Sequence, residues 1–212
     1  MIEVDQNTTH APQDEDTSKR RQILDGAREV FMELGFDGAS MGEIARAAGV
    51  SKGTLYVYFT DKTALFEAIV EEETRTAVLF SFDPDRDIAT NLTGFGEAYI
   101  ALVCRPGGGS AIRTVMAIAE RMPELGSRFY THVIAHTVDR FAAYLEARAA
   151  LGELVMDDTQ LAAWQFMQMC QATLFQAFIF QANPSPSPER IATVVDSATR
   201  VFFAAYRPKQ AN

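Results

Sequence analysis

A chain of 212 residues that is 48% hydrophobic has room for one large domain, or a small domain fused to a larger one, with a sizeable core. Its two cysteines, Cys104 and Cys170, lie far apart in apolar surroundings, which fits a reducing cytoplasm and excludes a disulfide scaffold. The net charge of −9 argues against indiscriminate attraction to nucleic acid, no N-terminal apolar run follows a basic segment as in a signal peptide, and no stretch reaches the roughly 18 uninterrupted apolar residues of a membrane span.

The charge is unevenly spread. Residues 1–16 hold Glu3, Asp5, Asp14, Glu15 and Asp16 with no lysine or arginine, lack periodicity, and read as a disordered acidic tail. Residues 17–63 carry seven bases against six acids and are the least acidic part of the chain. The first helix is expected to start at Thr17 or Ser18, to bury Ile23, Leu24, Ala27, Val30, Phe31 and Leu34, and to stop at Gly35. Ser40 followed three residues later by Glu43 forms a capping box that opens a short second helix burying Ile44, Ala45 and Ala48. Gly49 supplies a turn, and Ser51 caps a third helix ending near Tyr58; two short helices joined by a glycine-bearing turn make a helix-turn-helix. Asp61 caps a fourth helix, with Leu65, Phe66, Ile69 and Val70 on one face.

On the third helix Leu55 and Phe59 are four apart and should face inward, so the remaining side chains project outward. Lys52 suits a phosphate or a guanine edge, Gly53 allows close backbone approach, and Thr54 and Tyr56 suit base edges. Tyr58 and Lys62 lie where the chain turns away and suit phosphates, and Ser40 heads a helix whose free N–H groups suit another.

The segment Gly49-Val50-Ser51-Lys52-Gly53-Thr54-Leu55-Tyr56, then Tyr58-Phe59, Lys62 and Leu65, resembles the signature of TetR-family transcriptional regulators, and the first helix and Ser40 to Ala48 match it too. The resemblance covers about residues 17–65. It implies an all-α, two-domain homodimer that usually represses, with DNA contacts at Ser40, Ser51, Lys52, Gly53, Thr54, Tyr56, Tyr58 and Lys62. Further on, Ala119 to Leu125, Phe129 and Gly152-Glu153-Leu154 are similar to the AefR-like branch, in which an aromatic residue is common where this chain has Met122.

Beyond residue 80 the periodicity stays helical, with no β-alternation. A fifth helix is expected over Asp87–Cys104, and Pro106 to Gly109 is a break without the Gly-Lys-Ser/Thr of a phosphate loop. A sixth helix follows over Ser110–Met122, a seventh from Pro123 to Ala150, an eighth over Asp157–Gln181, a Pro/Ser-rich linker at 183–188, and a ninth to Tyr206. The domains expected are the tail at 1–16, the three-helix helix-turn-helix DNA-binding domain at 17–63, and a helical ligand-binding and dimerisation domain at 64–212, about nine helices in all.

The fifth to eighth helices carry more large side chains than a minimal bundle needs. Phe95, Tyr99, Met116, Phe129, Trp164 and Met167, with Gln168 and Gln171 as polar anchors, are the candidate ligand-binding residues; a pocket of aromatics and methionines suits a flat or greasy molecule. Phe175, Phe178, Val194, Val195, Ala198 and Phe202 are candidates for a two-fold interface between copies of the chain. His132 and His136 share a helical face, but no further ligand stands at diagnostic spacing, so neither a metal nor a cofactor is expected, and no catalytic constellation appears. The reading is a cytoplasmic, ligand-responsive regulator, in most cases a repressor, released from double-stranded palindromic operator DNA by a small hydrophobic or aromatic effector, with no membrane partner. The alternative is a helical small-molecule-binding protein without sequence-specific DNA binding.

Overall fold

The computed structural model describes residues 12–77, 81–106, 108–120 and 122–208, and among them every regular element is helical. The chain divides into two compact units, Met1–Ile69 and Val70–Asn212. The boundary lies a few residues beyond the expected position at 63/64, inside a continuous helix.

The first unit contains α1 (Pro12–Gly38), α2 (Met41–Ala47), α3 (Lys52–Tyr58) and the start of α4 (Lys62–Ala77). The α1 helix begins five residues before Thr17, so residues 12–16, assigned to the tail on composition, are helical; residues 1–11 lie outside the described residues. Proline costs little in a first turn, where its missing N–H has no partner to lose. The expected stop at Gly35 is a kink: Gly35 has φ 68° and ψ 170°, and a further turn follows to Gly38. That turn places Phe36 in a cluster with Phe31 (centroids 5.4 Å apart) and Phe66 (5.8 Å). Leu34, expected in the buried stripe, is exposed because the stripe ends at Phe31 and the kink turns the chain.

Gly26 shows why α1 and α2 approach so closely. A Cβ there would stand 2.5 Å from the Ala48 backbone nitrogen, so no other residue fits without moving the backbone. Both short helices carry the expected caps: Ser40 with Glu43 forms the complete capping box, and Ser51 accepts from the Thr54 N–H. Seven-residue helices cannot hold themselves in water. Ile44, Ala45 and Leu55 anchor them in a core shared with Ile23, Leu24 and Ala27.

The second unit contains α5 (Ile88–Val103), α6 (Gly108–Ile118), α7 (Pro123–Phe129), a π-helical turn (Tyr130–Ala135), α8 (His136–Ala150), α9 (Thr159–Gln171), α10 (Phe175–Ile179) and α11 (Pro188–Tyr206). Among the described residues the nine expected helices become eleven and a π turn. The expected seventh helix is continuous but changes its hydrogen-bond spacing across the π turn, and the eighth is interrupted at Ala172–Leu174, where Thr173 takes φ 63°. A non-glycine residue in that region costs about 1 kcal/mol or more and persists only where packing enforces it.

The core of this unit is a chain of rings: Phe95 to Phe141 at 4.5 Å, Phe141 to Phe166 at 5.4 Å, and Phe166 to Phe202 at 5.4 Å. Phe82 stacks on Tyr144 at 4.4 Å, and Arg148 secures the turn that follows it. The buried guanidinium of Arg148 donates to the carbonyls of Arg86 (2.7 Å) and Pro84 (3.0 Å) and to the Tyr144 hydroxyl (3.1 Å), and Glu153 approaches to 3.4 Å.

Candidate nucleic-acid interface and ligand cavity

The outward face of α3 is built from both ends. Leu55 and Phe59 are buried, and Ser51 fixes the first turn through the Thr54 N–H at 3.0 Å, with the two hydroxyls 2.8 Å apart. What remains exposed is Lys52, Gly53, Tyr56 and Val57; Tyr56 is 53% and Val57 82% exposed. Val57 was overlooked in the sequence because an apolar side chain reads as core. Its position opposite Leu55 and Phe59 was the available signal.

Gly53 has no internal reason to be glycine. A Cβ there would meet nothing nearer than Ser51 Oγ at 3.7 Å, although glycine costs a helix up to about 1 kcal/mol relative to alanine. Lys52 reaches back across Gly42, its Cε 2.9 Å and Nζ 3.1 Å from where a Cβ on Gly42 would stand. The helix therefore presents an ammonium, a bare stretch of backbone, a phenol and an isopropyl group on one exposed face. A helix of about 10–12 Å diameter fits a major groove about 12 Å wide.

Several expected contact residues have prior commitments. The Ser40 hydroxyl donates to Glu43 at 2.8 Å and accepts from the Glu43 N–H at 3.3 Å. Lys62, expected to hold phosphate, instead donates to the carbonyls of Phe36 (2.7 Å), Asp37 (3.2 Å) and Ala39 (3.2 Å), with its ammonium 4.8 Å from the Phe36 ring centre. An ammonium has three protons, and all three are used. Lys62 thus caps the carbonyl end of α1 with the ammonium that was expected to hold phosphate. The Tyr58 hydroxyl bonds to the Asp16 carboxylate, which raises the phenol's pKa above its ordinary value. Asp16 belongs to the helical extension that composition had placed in the tail.

In the second unit a cavity of about 230 Å³ opens among the helices. Seven of the eight candidate ligand-binding residues line it: Tyr99, Met116, Phe129, Trp164, Met167, Gln168 and Gln171. Phe95 does not; it is buried in the ring chain, 4.5 Å from Phe141. Sequence reasoning missed the aliphatic wall, Leu102 and Val103 on α5 with Ile112 on α6, since such residues are indistinguishable from core in a sequence. It also missed Val133 and Ile134 of the π turn. A π turn has no periodic sequence signature, yet such turns recur at functional sites because they redirect side chains out of helical register.

None of the described cavity-lining side chains carries a formal charge. The Gln171 amide donates to the Tyr99 hydroxyl, and burial pushes the Tyr99 pKa well above its ordinary value, so the phenol stays neutral. Thr137 donates to the Val133 carbonyl at 2.7 Å. Burial likewise pushes the Cys104 thiol up to about 11 and Cys170 to about 12.

Of the expected interface residues, Val194 and Ala198 border a groove along α9 and α11. Val195, Ala198 and Phe202 pack α11 against α5 and α9, so closely that a Cβ on Gly96 would meet Val195 Cγ1 at 2.8 Å. Val194 is buried beside them, Phe175 lines the cavity, and Phe178 is half-buried against the same core. Helical periodicity identifies a buried stripe; it does not say which chain buries it.

Comparison with known proteins places this geometry. Residues 23–69 match bacterial regulatory proteins of the tetR family, and residues 90–208 match the C-terminal domain of AefR-like transcriptional repressors. The HTH-type transcriptional repressor Rv1474c of Mycobacterium tuberculosis is 47% identical over 57 residues, 27% of this chain and 30% of that one. The chain thus matches only about 30% of the length of such curated relatives. Whole-chain likeness comes from solved structures. The Flavonoid-responsive Regulator FrrA is similar at 28% identity and a TM-score of 0.71, covering 91% of this chain and 99% of that one. A TetR family regulator from Pseudomonas syringae pv. tomato shares the fold at 23% identity and a TM-score of 0.76, covering 91% and 98%.

Proposed function

Because the chain belongs to the TetR family of transcriptional regulators, we propose that it is a ligand-responsive repressor that reads operator DNA with α3 and releases it when a small effector fills the cavity of the second unit. The observation that carries the DNA-binding reading is Gly53, a helical glycine without internal cause, set between exposed Lys52 and Tyr56. In this reading Lys52, Thr54 and Tyr56 read base edges, Gly53 lets the backbone close on the groove, and Val57 meets a thymine methyl. Ser40 and Ser51 act chiefly as caps that aim the two short helices.

Two copies of α3 on a two-fold axis occupy successive major grooves, about 34 Å apart. For the dimer face, the groove along α9 and α11 is the best support: it is edged by Met169, Ala172, Thr193, Ser197 and Val201, whose small or partly exposed side chains permit close approach. Effector binding is transmitted through α4, the helix in which the two units meet in sequence. A coupling of about 1–3 kcal/mol is enough to change occupancy several-fold or more. An aromatic effector is supported by the rings of the cavity and by the likeness to FrrA, a protein described as flavonoid-responsive. Such a regulator works in the cytoplasm, where the DNA is.

The test is a gel-shift titration on DNA selected by the wild-type chain. The double variant Lys52→Ala, Tyr56→Ala loses specific retardation while keeping the wild-type melting temperature. Wild-type affinity in that variant refutes the assignment of α3.

A further inference from the structure

The cavity constrains what can occupy it more tightly than the regulatory reading requires. At about 230 Å³ it exceeds the roughly 150 Å³ of an apolar cavity known to accept benzene, so it has room for a substituted ring or a compact fused pair. Among the described residues its wall offers no arginine, lysine, histidine or carboxylate to meet a charge. An ionised group taken into such a wall loses its hydration with nothing to replace it, a penalty of several kcal/mol.

The polar lining is nevertheless specific. On α9, Trp164, Met167, Gln168 and Gln171 recur at helical spacing and form one stripe along the cavity. Two glutamines stand on this otherwise apolar stripe: Gln171 is half-buried and donates to the Tyr99 hydroxyl, whereas Gln168 is exposed and bonds no described residue, so its amide is free to exchange water for a ligand. The Gln168 amide therefore presents both a donor and an acceptor to whatever fills the space. Met116 and Tyr130 also line the cavity but are 63% and 51% exposed, so they stand at its mouth, on α6 and at the start of the π turn.

We propose that the cavity selects uncharged, compact aromatic molecules bearing a carbonyl or hydroxyl group, that Gln168 is the residue that determines this specificity, and that such ligands pass between Met116 and Tyr130. The proposal rests on the regulatory reading only for the identity of the site; the selectivity follows from the wall itself.

The experiment uses the full chain and three probes of similar size: coumarin, which is flat, neutral and carries a carbonyl; naphthalene, which lacks the polar group; and coumarin-3-carboxylate, which adds a charge. Calorimetry gives the affinities. Trp164, the one tryptophan in the sequence, reports by its emission that binding occurs in the cavity. Coumarin should bind more tightly than its carboxylate by roughly tenfold or more, since the charge has no partner in the wall. Gln168→Leu should weaken coumarin by roughly five- to tenfold, the worth of one neutral hydrogen bond, and leave naphthalene unchanged. Equal or tighter binding of the carboxylate overturns the proposal. So does an equal loss for naphthalene in Gln168→Leu, or the absence of heat and of any Trp164 change with all three probes. A chain with the expected ligand profile but no operator binding would overturn the regulatory reading and leave this one standing; intact operator binding with the opposite profile would do the reverse.

Discussion

Replacing Lys62 by methionine separates a structural lysine from a phosphate-binding one. Methionine keeps most of the length of the side chain and removes only the ammonium. The structure assigns that ammonium three carbonyl partners at 2.7, 3.2 and 3.2 Å and a ring centre at 4.8 Å. Hydrogen bonds to a charged donor are worth about 1.5–3 kcal/mol each, but these three share one half-exposed group, so the sum is well below additive. Adding about 0.5–1 kcal/mol for the ring contact gives a loss of about 3 kcal/mol. For a chain of this size that lowers the melting temperature by roughly 6–12 °C. The second readout is the dependence of operator affinity on salt, measured well below the melting transition. A lysine that neutralises a phosphate contributes about 0.9 to the slope of log K against log salt. The ammonium of Lys62 is already committed, so the slope should stay at the wild-type value while the melting temperature falls. A slope reduced by about 0.9 per protomer with an unchanged melting temperature would refute the reasoning.

Three further outcomes follow from the same structure. Gly53→Ala should raise stability by up to about 1 kcal/mol in thermal unfolding, because nothing inside the protein obstructs the methyl group, yet it should weaken operator binding in the gel shift. Arg148→Met should cost about 3 kcal/mol in denaturant unfolding, since it strands the carbonyls of Pro84 and Arg86 and leaves Glu153 without its partner. Cys104 and Cys170 should resist thiol reagents in the native state. Their folded pKa values, about 11 and 12, lie above the ordinary 9.0, so their stabilising contribution is fully present below pH 9 and is lost as pH rises toward 11–12. Denaturant midpoints measured from pH 8 to 11 should fall less steeply in Cys170→Ala.

The helix-turn-helix was legible in the sequence because its signals are local. Ser40, Glu43, Gly49 and Ser51 fix caps and a turn through neighbours within a few residues, and each stands where its chemistry required. The cavity was partly legible, through aromatics and glutamines at helical spacing on α9. What the sequence could not convey depended on distant partners. Lys62 looked like a solvent-facing base until the kink at Gly35 brought three carbonyls beneath it. Phe95 and Tyr99 lie one turn apart on α5, and only tertiary packing decides that the first joins a ring chain and the second faces the cavity. The apolar stripe of α11 was legible, but periodicity could not divide it between packing within the chain, as for Val195 and Phe202, and the groove edged by Val194 and Ala198.

The most direct measurement of the central claim is selection from a random pool of duplex DNA by the purified chain, followed by footprinting on the winning sequence. The account predicts an enriched inverted repeat whose half-sites lie about one helical turn, roughly 34 Å, apart and whose protection disappears in Lys52→Ala, Tyr56→Ala. A pool that converges on no sequence, or a footprint that survives those two substitutions, would contradict it.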